Sequence, residues 1–294
     1  MDLRIMRFCC IIRENEGDST EMEEDEQRKE QEHQEDLQRI RGFRLIDDDF
    51  MNACFDDNIE GTELLLSIIL NRNVSVKEVR TQRNLKNLVG RDTYLDILAD
   101  EDDGSELNVE IQRADKGATP RRARFHSSIL DAHSLKPNED FSKLPETYVI
   151  FITENDVIGA GESIYTVERQ ITNLNNRNFG DGEHIIYVNG ADRNSNTELG
   201  KLMHDFFCTD PDDMNYKVLA DKVRYFKEDE KGVATMCKVM EDMREDAAKR
   251  AKKEQQADSV KRWFAQGRTV AEIADGEGMS ISDVNLILNP DSAQ

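Results

Sequence analysis

The sequence predicts an α/β fold: a mixed sheet core flanked by helices, followed by an all-helical C-terminal extension. Three observations predict it. Tyr148–Thr153 and His184–Asn189 are near-continuous apolar runs of strand length, as in strands buried on both faces. Two further β-like runs, Tyr94-Leu95-Asp96-Ile97-Leu98 and Val109-Glu110-Ile111-Gln112, flank the acidic turn Asp100–Ser105. Beyond Pro211 the pattern is helical throughout.

The elements follow in order. Asp47 to Asp49 are N-cap candidates for a helix in which Phe50, Ala53 and Cys54 recur at helical spacing. A second helix runs from about Thr62 to Leu70, with Leu64, Leu65, Ile68 and Ile69 on its apolar face, and Asn71–Asn73 ends it. Val74–Val79 alternates as a short strand, and strands over about 92–99 and 106–112 come next. Thr119 caps a helix that has Pro120 in its first turn and reaches Leu135. After the two apolar strands, Leu199–Phe207 is helical, as are Met214–Glu228 and Val233–Gln266. The tail reads as two short helices, about Thr269–Ala274 and Ser280–Leu288, with Gly276 and Gly278 at the turn. The expected organisation is an acidic arm over 1–40, a core over 41–210, long amphipathic helices over 211–266 and a small helix–turn–helix-like tail over 267–294. The tail carries Arg268 and several acids, which suits a helical packing unit better than a reader of the DNA major groove.

Charge sets limits on function. The 294 residues carry 61 acids against 39 Lys and Arg, a formal net charge of −22. Taken alone, that argues against a general nucleic-acid binder. The excess is uneven: twelve Asp or Glu and two bases lie between Glu14 and Asp36. Residues 13–38 read as a disordered or weakly helical solvated arm, with a DNA-mimicking or autoinhibitory tail as the sharper alternative. Five cysteines without ligand spacing fit ordinary thiols of a cytoplasmic protein. Leu3–Ile12 is too short and too charged to span a bilayer, and no membrane partner is expected. One reading of it is an upstream extension of the reading frame, with a start at Met22 or later.

The two runs around the acidic turn carry the candidate chemistry. Side chains alternate across a strand, so Glu106, Asn108, Glu110 and Gln112 share one face and Leu107, Val109 and Ile111 the other. If the runs pair as a hairpin, Asp96 and Glu110 fall on neighbouring strands, close enough to share one divalent cation. Aspartate is disfavoured within strands, so Asp96 needs an explanation. Downstream, Arg113, Lys116, Arg121, Arg122 and Arg124 form the densest basic cluster near these acids. Arg121 and Arg124 share a helix face and are the expected phosphate contacts, with Arg122 turned away. The alternative is a solvated face paired with acids. The histidines at 126, 133, 184 and 204 show no metal spacing and read as structural.

Asp96, a turn, Glu110-x-Gln112 and an Arg-rich helix together resemble the core of PD-(D/E)XK nucleases in a variant with Gln in place of Lys. More closely, the chain resembles the Rpn family of recombination-promoting nucleases and transposases. The likeness rests on Leu95–Leu98, Asn108–Gln112, Arg121–Phe125, Leu144–Ile152, Ile185–Gly190 and Lys201–Phe206, and covers about residues 42–230. The resemblance implies a restriction-endonuclease-like core and a Mg²⁺- (or Mn²⁺-) dependent DNA endonuclease linked to recombination or mobile elements. It implies Asp96 and Glu110 as metal carboxylates, the Ile111 carbonyl as a third ligand, and Gln112 as the positioning group. From the basic cluster itself, Arg113, Lys116, Arg121 and Arg124 are the candidate DNA contacts. Glu60 or Glu63 would supply a further helix carboxylate. Phe50-Met51-Asn52 stands where the family often has Phe-Lys. Glutamine brings a hydrogen bond but no charge, so the site leans on its metal. A catalytically weak module that keeps the fold is the alternative. The long helix Val233–Gln266 is a candidate for pairing with another copy.

Overall fold

The computed structural model describes residues 27–28, 30–85, 93–113 and 117–289. The chain divides into two compact units, Met1–Cys237 and Lys238–Gln294. In the first, helix α1 covers residues 30–42, α2 Asp48–Phe55 and α3 Ile59–Leu70. Strands β1 (Val76–Leu85), β2 (Thr93–Glu101) and β3 (Glu106–Gln112) follow, then helix α4 (Pro120–Ser134) and β4 (Thr147–Thr153). The short strands β5 (Ile164–Val167), β6 (Gln170–Ile171) and β7 (Arg177–Asn178) precede β8 (Glu183–Asn189), α5 (Glu198–Phe207) and α6 (Lys217–Glu228). Helix α7 spans Glu230–Ala265, and α8 (Val270–Glu277) and α9 (Ile281–Leu288) belong to the second unit.

Six strands form one mixed sheet in the order β1-β2-β3-β4-β8-β5. β1, β2 and β3 are antiparallel neighbours, β3, β4 and β8 are parallel, and β5 closes the edge antiparallel to β8. β6 pairs with β7 apart from this sheet. The parallel step from β3 to β4 requires a crossover, and α4 supplies it. Val149, Ile150, Phe151 and Ile152 are all buried, as a central strand covered on both faces demands. α4 packs Ala123, Ile129 and Leu130 against Leu95, Leu98, Val149, Phe151 and Tyr187. This is the restriction-endonuclease-like arrangement, with helices on a mixed sheet and a helical C-terminal region.

Several boundaries move. The short strand expected over Val74–Val79 continues to Leu85, because β1 pairs with β2 along its whole length. The strand β5 and the pair β6–β7 carry too little apolar periodicity to be read from sequence. The described part of the acidic segment is helical over residues 30–42, where Asp36 and Ile40 are buried. Expectations for residues 1–26, including Cys9, Cys10 and the start at Met22, lie outside the described residues. No described helix is long and apolar enough to cross a membrane.

In the second unit, Val260, Ile273, Ala274 and Val284 form a core with Trp263, Val270, Met279, Ile287 and Leu288 around it. Thr269 and Glu272 make a capping box at α8, and Ser280 caps α9. Gly278, at φ +64°, ends α8 in the left-handed conformation. Gly276 is not part of the turn. It lies inside α8 under Trp263, where a Cβ would stand 2.3 Å from the indole ring.

Candidate active site

The carboxylates meet where the β2–β3 ladder stops. Backbone pairing ends at Ile97↔Val109, so Asp96 and Glu110 are the next opposed positions and lack the ladder bonds that would join them. Side chains take over. Asp96 Oδ2 accepts from the Ile111 N–H at 2.9 Å, and Glu110 Oε1 accepts from the Asp96 N–H at 3.4 Å. Across the other edge of β2, the position between Thr81↔Ile97 and Arg83↔Leu95 is Gln82, with φ +49°. A non-glycine residue in the left-handed region within a strand is uncommon and marks local strain. The backbone is therefore irregular on both sides of Asp96.

Glu110 is fully buried, and besides the Asp96 N–H of β2 its surroundings come from two elements. From β3 itself, Asn108 Nδ2 donates to Oε1 at 3.1 Å. From α4, Arg122 Nη2 reaches Oε2 at 3.4 Å. His126, one turn further along α4, is buried against Phe151 and holds its Nδ1 3.3 Å from Oε1. Arg122 Nε–H donates to His126 Nε2 at 3.3 Å, which assigns the ring proton to Nδ1. That Nδ1 makes no well-aligned hydrogen bond, and neither does the buried Asn108 Oδ1. Two buried polar atoms thus stand unsatisfied around one buried carboxylate, a condition that proteins rarely leave without an ion, water or functional reason.

The electrostatics agree with crowding. Burial first, and the Glu110 carboxylate second, push Asp96 up from its ordinary 3.8 to about 8. The Ile111 N–H pulls it down, Asp48 adds to the rise, and Arg122 opposes it. Asp48, in the first turn of α2, is itself pushed up by burial and by Asp49 and Asp47, with Arg113 opposing. The helix carboxylate whose charge is felt at Asp96 is therefore Asp48, not Glu60 or Glu63. Glu63 accepts from the Val76 N–H at 2.8 Å and fixes the start of β1. Glu60 lies with Asn58, Lys217, Lys222 and Tyr225 around a separate open cavity. Met51, where the resemblance would place a lysine, is wholly buried.

The remaining expected residues are placed as follows. Gln112 turns its amide back, and Nε2 donates to the Ile111 carbonyl at 2.8 Å. Arg113 is tied to Asp47 at 2.9 Å and Glu154 at 3.3 Å. Arg121 and Arg124 are exposed on the outer face of α4. Arg122 is not turned away: it is the arginine of this helix that reaches the carboxylates. Lys116 lies outside the described residues. Sequence reasoning missed Arg122, His126, Asp48 and Asn108 as neighbours of the pair. The signal was present for two of them, since Arg122, His126 and the core residue Leu130 follow at four-residue steps along one helix row.

Among the described residues, no three His, Cys, Asp or Glu side chains gather closely enough to hold an ion by themselves. The donors present are two hard carboxylates and a backbone carbonyl, with the Asn108 amide beside Glu110. That set suits a hard divalent cation that keeps several waters, as Mg²⁺ does with one or two carboxylates. The unsatisfied atoms and the mutual crowding of Asp96 and Glu110 fit the same occupant, because a cation between the acids would relieve their repulsion.

A family model described as PD-(D/E)XK nuclease family transposase matches residues 49–262, spanning the sheet, α4 and most of α7. No curated protein and no solved structure matches the chain. The match covers well over half of the 294 residues and includes both site carboxylates, so the chain belongs to the PD-(D/E)XK nuclease family transposases.

Proposed function

We propose that this protein is a metal-dependent DNA endonuclease that hydrolyses backbone phosphodiesters. The convergence of Asp96 and Glu110 at the end of the β2–β3 ladder carries this reading, because it places two acids where neither is needed for pairing. A divalent cation bound there, Mg²⁺ or Mn²⁺, supplies the Lewis acidity and the activation of water that phosphodiester hydrolysis needs. Asp96 and Glu110 would hold it, with the Ile111 carbonyl completing the protein ligands once Gln112 releases it. Gln112 then positions water or phosphate by hydrogen bonding. Asn108 and His126 keep Glu110 oriented. Arg121 and Arg124, exposed on α4, hold the DNA backbone beside the site. A role in recombination or mobile-element movement fits the transposase family.

The test is plasmid cleavage by the purified full-length chain in Mg²⁺ or Mn²⁺, with Asp96→Ala alongside. Cleavage by the parent and not by the variant is expected; equal cutting by both refutes the site.

One contact favours a second reading, a binding module without turnover. Gln112 occupies the Ile111 carbonyl, the third atom the metal would need. Calorimetric titration with Mn²⁺ separates the two. A folded parent that binds no Mn²⁺ supports the module.

A further inference from the structure

The site described above lacks the lysine charge that the Gln112 position would otherwise carry. We infer that Arg122 supplies that charge from α4 and faces the phosphate under attack. The inference rests on the nuclease reading of the Asp96–Glu110 site and goes beyond it in naming the cation.

The Gln112 amide is neutral and donates to its own strand's Ile111 carbonyl. Its Oε1 lies against Gly117, where an added Cβ would stand 1.5 Å from that oxygen. The same Cβ would stand 3.5 Å from Arg122 Nη1, and Nη1 donates to the Gly117 carbonyl at 3.3 Å. The guanidinium and the Gln112 amide therefore share one corner of the site. A lysine at 112 and the arginine at 122 would put positive charge in the same place from two different elements.

The other arginines do not. Arg113 is already neutralised by Asp47 and Glu154, and Arg121 and Arg124 point outward. Arg122 is held by three groups that orient its planar fork: the Gly117 carbonyl, His126 Nε2 and Glu110 Oε2. Its side chain is 39% exposed while the Glu110 carboxylate it touches is wholly buried, so the arginine sits between the buried acid and solvent, the side from which a phosphate would approach. The contact to Glu110 is long and involves a single nitrogen, which leaves donors free for phosphate oxygens. Arg122 also sits in the first turn of α4, behind the Thr119 cap, where the helix's positive end favours an anion. His126 is the positioning residue in this scheme. It touches no substrate and fixes the guanidinium through Nε2.

The experiment compares the parent with Arg122→Gln, Arg122→Lys and Arg122→Gln combined with Gln112→Lys, all as full-length chains. Two readouts are used: single-turnover plasmid cleavage in Mn²⁺, and the salt dependence of binding to a short DNA duplex in EDTA. Loss of one phosphate contact lowers the slope of log Kobs against log salt by about 0.9. Expected for Arg122→Gln are that lower slope and a cleavage rate down roughly 10²- to 10³-fold, the usual effect of removing one transition-state donor. Arg122→Lys keeps the slope, and Gln112→Lys restores cleavage to the Arg122→Gln background. An unchanged slope overturns the inference, as does loss of cleavage in Arg122→Gln that Gln112→Lys leaves unrepaired while the circular dichroism spectrum is intact. A parent that does not cut refutes the nuclease reading instead, and the metal-free slope still decides whether Arg122 meets phosphate.

Discussion

Asp96 makes the metal-free protein less stable as pH rises, and Asp96→Asn removes that penalty. Burial and Glu110 raise its folded value from 3.8 to about 8. The sign follows from which state binds the proton. Between pH 5 and 7 the unfolded chain has lost the Asp96 proton and the folded chain has kept it, so stability falls by about 1.4 kcal/mol per pH unit for this one group. The stabilisation is fully present below 3.8 and is lost as pH rises through 8. Over pH 5 to 7 the loss is on the order of 3 kcal/mol. Asparagine keeps the acceptor for the Ile111 N–H and cannot ionise. The assay is urea unfolding followed by circular dichroism in EDTA, read as variant minus parent so that other titrations cancel. The two proteins are expected to match below about pH 4, with the variant pulling ahead from there and leading by a few kcal/mol at pH 7. A difference that stays flat from pH 5 to 7 refutes the crowded-carboxylate picture. Mn²⁺ should reverse the trend for the parent alone, since the ion competes with the proton for the same oxygens.

Two further outcomes concern stability away from the acids. Gly276→Ala drives a methyl into Trp263 and should destabilise the second unit by about 1–3 kcal/mol, as overpacking does; Trp263 is the sole tryptophan of the sequence, so its fluorescence reports this directly, and an unshifted transition would refute the contact. Arg72→Ala strips the buried Glu101 of a two-pronged partner that also lies over Tyr148. The cost should be about 2 kcal/mol, below the ~3–5 kcal/mol of a fully buried pair because Arg72 is 36% exposed, and urea midpoints check it.

How much of this could be read in the sequence depends on the kind of signal. β4 and β8 were legible because a doubly buried strand must be apolar at consecutive positions, and Val149–Ile152 is. α4 was legible through Thr119 and Pro120, which cap and start it as expected. Asp96 and Glu110 stood out because charge inside a strand is costly, and the structure sets them on opposed positions of β2 and β3. Strand alternation alone hides how deep each position lies: Asn108 and Glu110 share the polar face of the pattern, yet both are fully buried. The arginines misled for a geometric reason. Residues three apart share a face, but which face meets the sheet is decided by Ala123, His126, Ile129 and Leu130 together, and that row includes Arg122. Asp48 was invisible because its approach to Asp96 depends on how α2 packs on β1 and β2, a relation between residues far apart in sequence.

Several departures from regular structure gather around Asp96 in the middle of β2, and their placement bears on function. β3–β4 and β4–β8 run in unbroken parallel register from Glu106↔Thr147 to Gln112↔Thr153 and from Thr147↔Glu183 to Thr153↔Asn189. At Asp96, by contrast, the ladder to β3 has ended, the facing Gln82 has a left-handed backbone, and Asn108 and His126 each leave a buried atom unsatisfied. Each such feature costs on the order of 1–3 kcal/mol. A sheet whose parallel half is regular and buried can hold them, since its registry does not depend on the β2–β3 contacts beyond Ile97↔Val109. A purely structural hairpin would gain by pairing Asp96 with Glu110 through the backbone and replacing both with apolar residues. Retaining two acids, an unsatisfied amide and an arginine between Glu110 and solvent makes physical sense where a cation and a phosphate are to complete the set.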